Sequence, residues 1–475
     1  MEKQIGRRGR MLLGERTLSR RQVLRGSAAL SGSALAAALI GPGGRGPRAA
    51  WAQESGFSRE ASITSWGFGV EETNPLAFAR VNAFKEAFPT IKLEIVPEFD
   101  DQKLLTAAAS GQVPDLLWLD RFAIASWAAR GVLQPLTEFI ERDTYDTGRF
   151  YEAAFNEATY DGQVYGIPGG MDVKVLYVNL DALNEAGVSD IGAVNTGNWE
   201  QLTDLGAQLV KRNGDQVDRW GFDTKIQAGG IYLWSGANGG HFLGEDGEAT
   251  FNDPKVVEAL DWAVKTYDAQ GGFKSYEAVA TTWQGDEQFA RGQVAMSVYE
   301  NWMMGIIARV APDLNFAVLP IQPRGGDGMT SFTGGRAWTI PAGAKDPEAA
   351  WEFIKFMHTD ETWLIGANAV KAAREEAGQP YLPSLTGSKT ADQAQIDQVY
   401  EPIDPKFDNA VKLFPQVLAA SPTREIASSP VGKQLDDIMQ QDGVLPALRG
   451  EKPPAEALET ADQNAQDAIN AFLPA

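Results

Sequence analysis

Between residues 61 and 120 the apolar residues switch repeatedly between a period of two and a helical period, and that alternation constrains the fold more than any other feature. Ala61-Ser62-Ile63-Thr64-Ser65-Trp66 alternates as a strand does. Pro75 to Phe88 carries Leu76, Val81, Phe84 and Phe88 near one helical face, and Ile91-Lys92-Leu93-Glu94-Ile95-Val96 alternates again. Lys103 to Ser110 reads as a helix stopped by Gly111, and Asp115-Leu116-Leu117-Trp118-Leu119 is the continuous apolar run of a buried parallel strand. This order predicts parallel βαβ units, hence the α/β class, with crossover helices on both faces of a sheet. Ligands of open α/β sheets sit beyond the carboxyl ends of the strands. Those ends are Trp66, with Gly67 after it, and Asp120, with Arg121 after it, so Trp66 and Asp120 are candidate binding residues. Trp66 would serve equally as a core tryptophan, and Asp120 as the N-cap of a helix from Phe122 to Arg130.

A chain of 475 residues is too long for one ordinary core and suits two lobes of roughly 150 to 200 residues. The segment Asp161-Gly162-Gln163-Val164-Tyr165-Gly166-Ile167-Pro168-Gly169-Gly170 reads as a hairpin turn and a short strand ending in Pro-Gly-Gly, a good place to leave one lobe for another. Val173 to Asn179 is then a strand, and Asn198, Asp253 and Asp346 open helices, the last two with proline at the first helical position. Ala295 to Tyr299 and Phe316 to Pro320 are further short strands, and Pro453 to Ala475 is an amphipathic helix.

The first 52 residues differ from the rest. Ser19-Arg20-Arg21-Gln22-Val23-Leu24 resembles the twin-arginine export motif; a weakly apolar run and Ala50-Trp51-Ala52 follow, so residues 1–52 are expected to be a signal peptide cleaved after Ala52. The motif departs from the usual pattern at Val23 and Arg25. These residues hold 10 of the 42 Lys and Arg and 2 of the 63 Asp and Glu, leaving 32 basic against 61 acidic residues and a balance of −29. A charge of that sign argues against nucleic acid as a partner. Cysteine is absent, which excludes disulfides, thiolate metal sites and a lipid-bearing cysteine. A soluble periplasmic protein is expected.

Most catalytic chemistry lacks its residues. The two histidines, His241 and His358, are scattered, no G-x-S-x-G or phosphate-binding glycine loop occurs, and neither a metal nor a cofactor is expected. Carboxylate pairs are always available in so acidic a chain, which is not evidence for glycoside cleavage. The indoles are more informative. Trp66, Trp234, Trp283, Trp302 and Trp338 are expected in loops or at strand ends, where flat rings stack on sugars or enclose cations, whereas Trp262 and Trp351 fall on amphipathic helices and belong to the core.

Seven segments occur in an order that resembles the maltose-binding-protein-like family of extracellular solute-binding proteins, which serve ABC-type sugar importers. They are DGQVYGIPGG, VLYVNLDAL, NWEQL, QFARGQVAMSVYENW, NFAVLPIQPRGG, TSFTGGRAWTIPAGAKDPEAAWEFIKFM and GVLPALRGEKPPAEAL. The resemblance implies a periplasmic-binding-protein type II fold: two α/β lobes joined by crossing hinge segments, a ligand clasped between them, and no catalysis. The expected division is 58–168 plus 298–325 for the N-lobe and 169–297 plus 326–475 for the C-lobe.

The family's strand-plus-tryptophan element corresponds to Met296 through Trp302, with Glu300 and Asn301 where glycine is commoner. Its paired-glycine loop corresponds to Gly334 and Gly335, whose N–H groups would approach a ligand, with Arg336 beside them for a bidentate bond to a carboxylate, sulfonate, phosphate or vicinal diol. Arg336 would otherwise form a salt bridge to Glu300 or Asp172. Met171 and Asp172 would face the cleft from the hinge, and Trp234 would be an aromatic platform. The expected protein is a monomer that captures a carbohydrate or related polar solute and delivers it to permease subunits of an ABC importer. A glycerol phosphodiester, polyamine or betaine-like solute remains open, and an exported carbohydrate-active enzyme is the rival class.

Overall fold

The computed structural model describes residues 56–472, apart from Asp215 and Gln284. The expected signal peptide lies outside the described residues. The alternation near the start folds as read: β1 (Ala61–Trp66), the helix Pro75–Ala87, β2 (Ile91–Val96), the helix Asp101–Ser110 and β3 (Leu116–Asp120). β1 pairs in parallel with β2 on one side and β3 on the other, so the sheet runs β2-β1-β3 and the carboxyl ends of all three strands point the same way. The helix read from Lys103 starts earlier, at Asp101, where the Asp100 carboxylate accepts from the Lys103 amide over 2.7 Å; the Asn198 and Asp346 side chains cap the helices Trp199–Leu209 and Pro347–Met357, where the sequence places helix starts.

After a small hairpin of β4 (Thr159–Tyr160) and β5 (Gln163–Val164), one strand of 14 residues, β6 (Gly166–Asn179), replaces the two short strands expected on either side of Pro-Gly-Gly. Its first half pairs antiparallel with β11 (Thr333–Thr339), which also pairs antiparallel with β3. Its second half pairs antiparallel with β9 (Val294–Glu300) and β10 (Phe316–Leu319). Beyond β9 lie β8 (Gln216–Asp223), parallel to it, and β7 (Lys211–Asn213) on the edge. β6 therefore belongs to both halves of the strand array.

This register corrects two expectations. Val298–Glu300 and Phe316–Leu319 pair with the far half of β6, not with β1–β3; Thr333–Thr339 pairs with β3 and so sits beside the strands from which it was to be separated. The cause is that an antiparallel partner is chosen by packing, and nothing local in TGGRAWT records whether β3 or β9 lies next to it. The helix Asp360–Glu376 follows β11 and packs on the helix Pro75–Ala87: a Cβ at Gly366 would lie 2.6 Å from Leu76 Cδ1.

The larger apolar core lies around β8 and β9 and includes Trp199, Trp220, Phe222, Leu260 and Met296. The C-terminal helix Pro454–Phe472 joins it through Ala457, Leu458, Ala461 and Ala465. A second cluster around Leu117, Leu119, Ile124 and Trp127 packs against β3. Among the described residues no helix is long and apolar enough to cross a membrane.

Candidate functional site

β1 ends at Trp66, and Gly67 turns the chain away at φ +89°; a Cβ there would come within 2.8 Å of Phe99 Cε1 and 2.9 Å of the Trp118 carbonyl, so only glycine lets these segments meet. β3 ends at Asp120, whose carboxylate accepts from the Phe122 amide over 2.9 Å and caps the short helix Arg121–Ala123. Beyond these carboxyl ends opens a cavity of about 770 Å³. One wall comes from the β1–β3 side: Gly67, Phe99, Trp118, Asp120, Trp127 and Arg336. The facing wall comes from the kinked turn Gln227–Gly229, Tyr232, Phe332, Arg424, and the Lys433, Asp436 and Gln440 side of the helical stretch that starts at Gly432.

Three buried ionic groups join the two walls. Glu157, fully buried, accepts from Arg121 Nε at 3.0 Å and from Arg424 Nε at 2.7 Å and Nη2 at 2.9 Å. Burial works against its charge, but the two guanidinium groups outweigh that and hold the carboxyl below its ordinary range. The rest of the Arg121 fork donates to the Gly170 carbonyl at 2.8 Å and the Gly334 carbonyl at 2.7 Å, tying β6 to β11. The Arg424 guanidinium lies 4.8 Å from the Phe122 ring centre and 5.1 Å from that of Phe332, a cation between two π faces at the cavity wall. Phe332 stacks on Tyr232 at 5.3 Å and 13°, and Tyr232 donates its hydroxyl to Asp436 over 2.8 Å. Burial pushes the Asp436 carboxyl up.

Of the residues expected to bind, Asp120 and Arg336 line this cavity, on directly paired positions of β3 and β11. Arg336 is exposed and reaches only the Gly67 carbonyl, at 3.5 Å; among the described residues it makes no ion pair, so the expected alternative of a bridge to Glu300 or Asp172 is not formed. Trp66 is not among the cavity-lining residues; Lys103 Nζ lies 4.2 Å from its ring centre, and its ring meets that of Phe99, which does line the cavity, at 5.9 Å.

The other candidates are placed differently. Trp234 is no platform: it lies on the helix Ile231–Ala237, fully buried between Trp199 and Trp262, and donates its indole N–H to the Thr224 carbonyl at 2.9 Å. Trp338 likewise sits within β11 and packs on Phe68, Trp118 and Phe353. Met171 is buried in an apolar cluster with Val173 and Leu385, away from the cleft. Asp172 is half-buried, and desolvation followed by the neighbouring Glu300 charge pushes its carboxyl up.

Glu300 is paired with Lys174 across the ladder, and Asn301 closes that ladder by exchanging two 3.0 Å bonds with Val173 through its amide N–H and Oδ1. Trp302, 41% exposed, packs edge-on to Tyr299 and is not part of the cavity wall. Gly334 and Gly335 serve the fold. The Gly334 carbonyl is taken by Arg121, and at φ +129° a Cβ on Gly335 would fall 2.0 Å from the Gly170 carbonyl oxygen.

Sequence reasoning missed Arg424, Glu157, Phe332, Tyr232 and Phe99. The one local signal was at Arg121 and Phe122, which follow a strand's carboxyl end. No group of His, Cys, Asp and Glu that could hold a metal occurs among the described residues.

A mixed strand array shared by two halves, with an aromatic and charged cavity beyond its strand ends, is the architecture of the periplasmic-binding-protein type II fold. A substrate-binding protein of an ABC transporter from Listeria monocytogenes, solved with cycloalternan, has the same fold: TM-score 0.68 at 21% identity, covering 86% of this chain and 99% of that one. Residues 79–398 match the bacterial extracellular solute-binding proteins, and the chain belongs to that family. Two arabinooligosaccharide-binding proteins are similar. That of Halalkalibacterium halodurans is 27% identical over 312 residues, 62% of this chain and 67% of its own length. That of Bacillus subtilis is 25% identical over 329 residues, 65% of this chain and 72% of its own.

Proposed function

We propose that this protein is the periplasmic solute-binding component of an ABC importer, and that its solute is a carbohydrate captured between two lobes and passed to membrane permease subunits. The observation that carries this reading is the wall of the 770 Å³ cavity, which combines Phe99, Trp118, Phe122 and Phe332 with Asp120, Gln227, Arg336 and Gln440. Sugar rings offer apolar C–H faces for aromatic rings and hydroxyl edges for carboxylates, amides and guanidinium groups, and this wall has both. The arabinooligosaccharide-binding relatives support the same class of solute.

The lobes of this reading follow the strand pairing. One is built on β1, β2, β3, β11 and the first half of β6; the other on the second half of β6 with β8, β9 and β10. A ligand that touches both walls favours the closed arrangement, because those contacts exist together only when the cleft is shut. Export through the twin-arginine motif and cleavage after Ala52 belong to the same proposal, as does release of the ligand unaltered.

The test is a thermal-shift screen of the purified protein against oligosaccharides, polyols, glycerol phosphodiesters and polyamines, followed by calorimetry and recovery of the ligand. A ligand that binds the folded form alone raises the melting midpoint. A saccharide that does so and is recovered unchanged supports the reading. A response confined to amines or phosphodiesters, or turnover of the sugar, refutes it.

A further inference from the structure

Resting on the carbohydrate reading, we propose that Gln227 is a specificity-determining residue that hydrogen-bonds a sugar hydroxyl, and that Asp223, Lys225 and Tyr267 are positioning residues that hold its turn in place. The turn follows the carboxyl end of β8 and supplies Gln227, Ala228 and Gly229 to the cavity wall. Its backbone is strained. Among the described residues three other than glycine have a left-handed φ; Thr144 and Asp161 are exposed, whereas Lys225, at +53°, is half-buried and opens this turn. A conformation so rarely adopted persists only where the surroundings impose it, and such residues gather at functional sites. Ala228 then leaves helical geometry at φ −113° and ψ 49°, and Gly229 turns at φ +78°, with Phe332 3.2 Å from where a Cβ would lie.

The group that imposes this geometry is Asp223, the last residue of β8. Its fully buried carboxylate accepts from the Lys225 amide and from Lys225 Nζ, each at 3.0 Å, from the Tyr267 hydroxyl at 2.7 Å and from the Tyr276 hydroxyl at 2.6 Å. Burial works against its charge, but Lys225 and the two phenols outweigh that and hold the carboxyl below its ordinary range. One carboxylate thus ties both the backbone and the side chain of the strained residue to the end of the strand. The Lys225 carbonyl in turn accepts from the Ala228 and Gly230 amides at 2.9 Å, which closes the turn.

The network reaches the cavity through Tyr267, whose hydroxyl also stands 3.2 Å from Gln227 Oε1. That end of the amide is anchored, while Nε2 makes no hydrogen bond among the described residues. Four carboxylates and three cations line the cavity, so their charges nearly cancel and a neutral guest is chosen by hydrogen bonds and ring contacts. A primary amide suits a hydroxyl, which accepts from its N–H group and needs no countercharge. Closing the cleft takes water from Nε2, and a guest with no oxygen at that point leaves the donor unsatisfied.

The test is calorimetry with arabinotriose, maltotriose and mannotriose on the wild type, Gln227→Ala, Lys225→Met, Tyr267→Phe and the two double variants that add Gln227→Ala. Tyr267→Phe deletes one hydroxyl and Lys225→Met keeps the stem, so both are expected to fold; the melting midpoint checks this, and should one fail the other carries the comparison. For the trisaccharide that the wild type binds most tightly, Gln227→Ala should weaken binding about tenfold and each positioning variant about threefold. In the Gln227→Ala background neither positioning variant should weaken binding further, a result that general loosening of the fold does not give. Unchanged binding by Gln227→Ala, or positioning losses that persist in full in that background, overturns the inference and leaves the carbohydrate reading standing. A response to glycerol 3-phosphate or putrescine but to none of the three saccharides overturns both.

Discussion

Arg121 and Glu157 form an ion pair over 3.0 Å with both side chains fully buried, and through it the loop after β3 is fastened to the strands that run between the two halves of the fold. Among the described residues Glu157 is also the sole carboxylate bonded to Arg424, so one negative charge pairs with two cations.

Removing that charge without changing its shape exposes the dependence. Glu157→Gln leaves two buried guanidinium groups without an anion, and loss of one partner of a buried pair costs about 3–5 kcal/mol. Urea denaturation followed by circular dichroism should show a loss of that order. A change under 1 kcal/mol would mean that water or another group takes over the carboxylate's role.

Gly335→Ala tests the closeness of β6 and β11. Its φ of +129° disfavours any side chain, and the new Cβ would meet the Gly170 carbonyl and Arg121 Nη1 at 2.0 and 2.6 Å. We expect a loss of about 3 kcal/mol, from backbone strain plus displaced neighbours. Gly187→Ala is the control: φ is +81° there with no atom within 4 Å, so only the conformational part, about 1 kcal/mol, should be lost.

Two tryptophans with similar prospects in the sequence should behave oppositely. Trp234→Ala removes a fully buried indole packed edge-on against Trp199, Phe222 and Trp262, with an expected cost of about 3–5 kcal/mol. Trp302→Ala removes an exposed ring and should move stability by no more than about 0.5 kcal/mol. Chemical denaturation of both variants decides the comparison.

Asp392 gives a pH signature. Burial pushes its carboxyl up to about 7, with the Thr386 amide at 2.7 Å only partly offsetting the effect. An unfolded aspartate titrates near 3.9, so between about pH 4 and pH 7 the folded form holds a proton that the unfolded form has released. Stability from this group is therefore present below pH 4 and is lost as pH rises through 7. His358, lowered to about 3 by burial, contributes the opposite slope between about pH 3 and 6.5 and masks the effect in the wild type. The measurement is accordingly a difference: Asp392→Asn should gain on the wild type by a few kcal/mol as pH goes from 4 to 8, then level off. A constant difference would show that Asp392 is ionised throughout.

The parts of the fold that were legible are those written in local period. β1 to β3 each span about six residues, and two of the three show a clean alternation, while Asn198 and Asp346 mark helix starts through bonds to amides three residues on. The helix Ile231–Ala237 was illegible because two turns cannot display a period of 3.6, so Trp234 read as a loop residue. Glu300 and Asn301 read as cleft residues because polar side chains at a strand end suit a ligand; they finish the ladder with Lys174 and Val173 instead.

By itself the sequence determined the α/β alternation, the caps, the absence of cysteine chemistry, and the two strand ends, Trp66 and Asp120, beyond which a ligand would lie. Tertiary structure alone decided that β11 lies beside β3, and that Arg121 and Arg424, 36 and 267 residues from Glu157, meet on one carboxylate. The reason is physical. Periodicity and capping act over a few residues and leave a mark in composition, whereas an ion pair or an antiparallel neighbour depends on distance in space, which no local pattern encodes.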